Sequence, residues 1–267
     1  MTSSRINSNL AEKIRVINEE KFSGQATYYD NARPAYAESL LNTLYSDYGF
    51  FPQSIIADIG SGTGIFTEQL LKRGNKVYGV EPNADMRKAG EERLKRYQNF
   101  VSVNGDAANT KLINSSIDII TVAQALHWFP IEEFSKECKR ILKPNGQVVI
   151  VYNQRCNDFI NKDVDAVVAR YCDVRNASTG AAYIELKRKR INELFYGKFI
   201  EISKSNSLFM DRNKFLSYWL SRSYAPREGD VNYKLFVNDI VSVFDKYAKD
   251  GLITLNQESM AYIGKVN

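Results

Sequence analysis

Histidine occurs once in the 267 residues, at His127, and cysteine three times, at Cys138, Cys156 and Cys172. One histidine excludes a histidine-rich metal centre, and three widely spaced cysteines with no C-x-x-C pair exclude both a disulfide framework and a thiolate zinc site. No metal is expected. Long apolar runs are missing too. The longest, such as Ile117–Ala123, fall far short of the ~20 residues that a spanning helix needs, so no membrane segment is expected. The opening M-T-S-S-R-I-N-S-N-L has no apolar h-region and no small-residue cleavage site, which makes the cytoplasm the expected location. Charge of one sign is scarce: 36 Lys+Arg against 31 Asp+Glu leave +5, too little to imply a nucleic-acid partner. The densest basic run, Lys187–Arg190, lies among apolar residues at helical spacing and reads as the solvated face of a helix.

Apolar residues at 44% and charged residues at 25% are ordinary for a globular protein, and the length suits one large α/β core with an appended cap. From Ser54 to Tyr152, short β-branched runs alternate with amphipathic segments, the pattern of βαβ units in a parallel sheet. Strands are expected at Ile55–Ile59, Lys76–Val80, Phe100–Val103, Ile117–Val122 and Gln147–Tyr152. Helices are expected at Gly64–Lys72, closed by Gly74, after the capping residue Asn83, and from Pro130 with Phe134, Cys138, Ile141 and Leu142 on one face. Beyond Asn153 the alternation stops. Helical patterns at Phe159–Tyr171 and Tyr183–Phe195, joined by N-A-S-T-G, are assigned to a cap. A strand near Phe199–Phe209 and another near Ile253–Val266 bracket a helix with apolar residues from Tyr233 to Tyr247. The expected division is residues 1–36 as an N-terminal lid, 37–152 as the core, 153–198 as a helical cap, and 199–267 as C-terminal elements completing the sheet.

A glycine-rich turn between a strand and a helix often cradles phosphate on the helix N-terminus. Here D-I-G-S-G-T-G, Asp58–Gly64, places an acid two residues before Gly60, where its charge disfavours a pyrophosphate and favours a cation. Glycines at 60, 62 and 64 also make G-x-G-x-G, not the dinucleotide spacing G-x-G-x-x-G. Glu81, followed by Pro82, ends the second strand, where a nucleoside-binding sheet presents a carboxylate to ribose hydroxyls. Asp106 and Ala107 follow the third strand, where Asp106 is expected near a base amino group. Each acid alone reads equally well as a loop cap or surface charge; three at successive strand ends favour a ligand.

The ordered segments D-I-G-S-G-T-G, V-E-P, N-G-D-A, A-L-H-W-F and L-K-P-N-G resemble the motifs of class I methyltransferases over roughly residues 54 to 152. Upstream R-P-A-Y and downstream S-R-S-Y and Y-I-G-K are similar to the small-molecule branch around trans-aconitate methyltransferases. The resemblance implies a Rossmann-like seven-stranded α/β sheet with helices on both faces and a final antiparallel hairpin. It also implies S-adenosyl-L-methionine as methyl donor, held by Asp58, Gly60, Ser61, Gly62, Gly64, Glu81, Pro82, Asp106, Ala107 and Gln124.

In an open α/β sheet the ligand lies beyond the carboxyl ends of the strands, so Gln124, His127, Trp128, Asn153 and Arg155 border the acceptor. His127 is the candidate for acceptor binding or weak base catalysis, against a reading as a half-buried packed residue. Trp128 is an acceptor contact or core. The aromatic stretch from Phe22 to Tyr36 reads as a lid in which Tyr28, Tyr29 and Arg33 meet an anionic acceptor, or else as simple packing. After the fourth strand the chain reads A-Q-A-L-H-W, not the N-P-P-Y or D-P-P-Y of adenine methyltransferases, and Cys138, the nearest candidate for the nucleophile of a 5-methylcytosine enzyme, falls on the apolar face of a helix, so nucleic acid is the weaker acceptor. The function expected is O-methylation of a small organic acid by direct transfer. The alternatives are methylation of a phenol, amine or tRNA, a non-catalytic S-adenosylmethionine-binding protein, and a nicotinamide-dependent oxidoreductase. The oligomeric state is not legible.

Overall fold

A computed structural model describes residues 33–172, 180–222 and 224–266. The parallel strands form where β-branched runs are bounded by turns: β1 Ile55–Ile59, β2 Lys76–Val80, β3 Phe100–Val103, β4 Ile117–Ala123 and β5 Leu142–Arg155. Two later strands, β6 Phe199–Ser205 and β9 Gln257–Gly264, complete one seven-stranded sheet in the order β3-β2-β1-β4-β5-β9-β6. β9 runs antiparallel to both β5 and β6, so the expected mixed sheet with its antiparallel final pair is present. The order reverses between β1 and β4, which opens a crevice at their carboxyl ends.

Alternation along β5 sorts the two faces. Val148, Ile150 and Tyr152 join one buried cluster with Phe134, Cys138 and Ile141 of α4 (Ile131–Ile141) and with Ile191, Leu194 and Phe195 of α6 (Gly180–Phe195). Val149 and Val151 point the other way, into a cluster with Phe66, Leu70 and Leu71 of α2 (Ile65–Leu71), Leu94 of α3 (Ala84–Leu94) and Leu40, Leu41 and Leu44 of α1 (Glu38–Asp47). Asn83 caps α3 as expected, its side chain accepting from the Met86 N–H at 2.9 Å.

A third cluster stands apart from the sheet. It joins α5 (Phe159–Tyr171), α7 (Arg212–Leu220), α8 (Tyr233–Tyr247) and the two-stranded sheet β7 (Leu208–Met210) and β8 (Ile253–Leu255) around Trp219, Phe215 and Phe236. The cap is therefore α5 with residues inserted between β6 and β9, and α6, expected in the cap, packs on the sheet instead. The reason is shape: a Cβ at Gly264 would lie 2.5 Å from the Phe195 ring, so only glycine on β9 admits that side chain. The two late strands expected as continuous each break, at Asn206 and at Asn256, because their outer parts pair with each other in the cap. Helices α1 and α7 were not anticipated. The strand expected at Gln147–Tyr152 runs longer, from Leu142 to Arg155. Residues 176–179 of the N-A-S-T-G loop and nearly all of the lid lie outside the described residues, and Gly180 opens α6. No helix among the described residues is long and apolar enough to cross a membrane.

Candidate functional site

A cavity of about 460 Å³ lies at the carboxyl ends of β1, β4 and β5, between the sheet and the cap. Its floor is the turn Gly60–Thr63. Gly60, Gly62 and Gly64 all hold positive φ, at 71°, 56° and 81°, the region that L side chains rarely adopt. The environments differ. A Cβ on Gly60 would lie 2.7 Å from the Ala125 Cβ, and one on Gly64 would lie 2.7 Å from Leu94, whereas one on Gly62 would meet nothing within 4 Å. Gly60 and Ser61 donate their N–H groups to the Val80 carbonyl, at 2.8 and 3.2 Å, which ties the turn to the end of β2.

Two acids support this turn from behind. Asp58 is fully buried, accepts from the Thr67 hydroxyl at 2.6 Å and the Thr121 hydroxyl at 2.8 Å, and is not on the cavity wall. The Asp58 side chain, expected at the donor, turns from β1 toward Thr121, which stands opposite it on the neighbouring strand β4. Burial raises its carboxyl to about 6, with the Thr67 and Thr121 hydrogen bonds opposing. Glu81 accepts from the Gly62 N–H and the Asn83 N–H, each at 2.9 Å. Burial pushes its pKa up, and those two backbone hydrogen bonds and the Arg87 charge act against it. Asp106 accepts from the N–H groups of Ala108 and Asn109, at 2.8 and 3.1 Å, in a tight turn. Gly64, Glu81, Pro82, Asp106 and Ala107 do not line the cavity; Gly60, Ser61 and Gly62 do.

On the opposite side, Gln124, His127, Trp128, Asn153, Arg155 and Arg33 reach the wall. Gln124 stands at φ 58°, an uncommon conformation for a residue with a side chain, and its amide donates to the Asn153 carbonyl at 3.1 Å. His127 and Trp128 follow on a short 3-10 turn, their ring centroids 4.6 Å apart. Tyr28 and Tyr29 lie outside the described residues.

Several wall residues went unanticipated. Lys187 was read as part of a solvated face, yet it is 5% exposed; its ammonium donates to Gln154 at 3.1 Å and lies 4.7 Å from the Tyr152 ring centroid. Burial lowers its pKa to about 8. Its neighbours Arg188 and Lys189 are on the surface, paired with Glu201 and Glu193. Arg222 and Tyr224 come from the segment after α7. The S-R-S-Y pattern was the available signal for Arg222 and Tyr224; no local pattern marked Lys187. Among the described lining residues, Arg33, Arg155, Lys162, Lys187 and Arg222 face one acid, Asp165.

Residues 57–150 match the family model described as a methyltransferase domain. An uncharacterised methyltransferase-like protein of Schizosaccharomyces pombe is 31% identical over 165 residues, covering 61% of this chain and 62% of that one. The chain spans about half to three fifths of the length of the curated relatives it matches. Among solved structures, a candidate type II methyltransferase from Anaeromyxobacter dehalogenans superposes with a TM-score of 0.64 at 19% identity, covering 87% of this chain and 97% of that one. A Haemonchus contortus phosphoethanolamine N-methyltransferase, solved with S-adenosylhomocysteine, superposes at 0.51 with 16% identity, over 94% of this chain and 60% of its own. Residues 57–150 thus match a methyltransferase domain, and the chain shares its fold with solved methyltransferases.

Proposed function

We propose that the protein transfers a methyl group from S-adenosyl-L-methionine to a carboxylate oxygen of a small organic acid. The observation that carries the reading is one cavity joining the glycine turn to a wall on which five cationic side chains face a single acid among the described residues. The similarity of R-P-A-Y and S-R-S-Y to the trans-aconitate branch supports it, since Arg33, Tyr36, Arg222 and Tyr224 of those segments all line the cavity.

The donor fits the residues present. The open space beyond Gly62 admits a ligand against the turn backbone. Glu81, already fixed by two N–H groups, retains lone pairs for ribose hydroxyls. When bound, S-adenosylmethionine supplies an electrophilic methyl on a sulfonium. The new O–CH3 bond forms as the S–CH3 bond breaks, leaving an ester and the neutral thioether. A carboxylate is already nucleophilic, so no strong base is required, and the protein contributes positioning and exclusion of water. His127 and Trp128 border the acceptor, and Arg33 holds its charge bidentately.

The test pairs calorimetry with labelled methyl transfer. S-adenosylmethionine and S-adenosylhomocysteine are expected to bind and NAD not, with Glu81→Ala costing roughly 1–3 kcal/mol of donor affinity. Transfer to organic acids is expected to weaken in Arg33→Lys, because lysine is a point charge without the guanidinium fork. Phenol or amine methylation that ignores Arg33 would discard the acid acceptor. RNA methylation with a steep salt dependence would discard the small-molecule reading.

A further inference from the structure

The first residue of β9 carries a side chain that the protein itself leaves unsatisfied. Gln257 lines the cavity and is 2% exposed, yet among the described residues no hydrogen bond reaches its amide nitrogen. Other amides on the wall are engaged: Gln124 donates to the Asn153 carbonyl, Gln154 accepts from Lys187, and Asn161 donates to the Cys156 carbonyl at 2.9 Å. The Gln257 backbone is fixed, its carbonyl accepting from the Asn206 N–H at 2.8 Å and its position standing opposite Arg155 in the register of β5 with β9. Directly opposed residues of an antiparallel pair share a face. Asn153 and Ser259 show this two positions along, where the Ser259 hydroxyl donates to Asn153 at 2.5 Å. Gln257 and Arg155 therefore share one face beside the cavity. The Arg155 guanidinium already has its partners, donating to Asp165 at 2.6 Å and to Asn161 at 3.3 Å.

A buried donor without an acceptor costs folding free energy, and native interiors leave few of them. A ligand oxygen in the cavity removes that cost. With the Arg155 charge balanced by Asp165, this corner does not call for an anion, and a neutral amide is the fitting partner for a neutral oxygen. We infer that Gln257 is a specificity-determining residue: its amide N–H donates to an uncharged hydroxyl or carbonyl oxygen of the acceptor, which is therefore a hydroxy or oxo acid. This rests on the acid reading above and narrows it. A site built around such a hydrogen bond discriminates against the analogue that lacks the oxygen, because binding the analogue seals the donor away unpaired.

The experiment measures methyl transfer to acids in sets of one chain length and charge: glutarate, hydroxyglutarate and oxoglutarate, and hexanoate with its hydroxy and oxo forms. The enzymes are the wild-type chain, Gln257→Met and Gln257→Glu, each with a thermal melt and calorimetry of S-adenosylhomocysteine. Wild type is expected to favour an oxygenated acid over its parent. In Gln257→Met, which keeps the length and removes the polar atoms, the kcat/KM ratio of oxygenated acid to parent falls about 10–100-fold. The unliganded Tm of that variant holds or rises, because an unpaired donor has gone, whereas loss of an amide with a structural partner would lower it. Gln257→Glu puts an acceptor where the donor was, so use of a hydroxy acid, whose hydroxyl can donate, falls less than use of an oxo acid, whose carbonyl cannot. Product binding is expected to hold, which shows that a variant has folded. A preference for oxygenated acids that survives in Gln257→Met overturns the role of Gln257 and leaves the acid reading standing, as does equal use of parent and oxygenated acids by wild type. A lowered Tm with equal losses on every acid marks a structural amide and overturns it too. Wild type that transfers methyl to no acid overturns both readings.

Discussion

Gly62 holds a positive φ with no atom near a prospective Cβ, whereas Gly60 holds one with Ala125 and Phe129 closing over it. The two glycines should therefore fail differently. Gly62→Val carries only the local backbone cost, about 1–2 kcal/mol, yet fills the space beside the turn, so donor binding is lost while the fold persists. Gly60→Ala adds overpacking to the same backbone cost, for about 2–5 kcal/mol in all. Circular-dichroism melts beside calorimetry separate the two, and a Gly62→Val protein that binds donor normally would make the turn purely structural. The glycine spacing was legible because φ > 0 is a local demand. The direction of Asp58 was not: that acid is turned from the cavity by the hydroxyl standing opposite it on β4, a partner 63 residues away.

Helix α6 was legible in its apolar spacing and misplaced in space. Its basic run looks uniform in one dimension, but docking on the sheet buries Lys187 and leaves Arg188 and Lys189 on the surface. The buried ammonium gives a stability prediction with a definite sign. Its folded pKa of about 8 lies below its ordinary 10.5, so below pH 8 the folded state bears the full cost of a buried charge. Between pH 8 and 10.5 the folded lysine sheds its proton and that cost is relieved. Lys187→Met is thus expected to stabilise the protein at pH 7, by about 1–3 kcal/mol. The gain shrinks by pH 10. Urea titrations of both proteins at the two pH values measure it, and a destabilised variant at pH 7 would mean that the contacts of the ammonium outweigh its burial.

At the scale of the whole molecule, the donor site proposed above sets a cationic ligand against a turn backed by two buried acids, Asp58 and Glu81. The folded Asp58 carboxyl titrates near 6, above its ordinary 3.8. In the unliganded protein its burial cost is present above pH 6 and relieved as pH falls toward 4. A bound cation reverses the preference, because it favours the carboxylate. The rise in Tm produced by S-adenosylmethionine should therefore be full above pH 6 and diminish below it, with Asp58→Asn flattening the dependence. Thermal scans from pH 5 to 8 with and without donor check this, and an increment that grows toward acid would contradict it. Strand periods, the glycine turn, the capping Asn83 and the acids at strand ends follow from residues a few positions apart, and the sequence by itself determined them. Tertiary structure alone decided that α5 joins the segment between β6 and β9 as the cap, and that α6 covers the sheet. It also decided that Arg33, Arg155, Lys187 and Arg222 meet on one wall. Those choices depend on strand register, on the space that Gly264 leaves for Phe195, and on burial, none of which is a property of neighbouring residues.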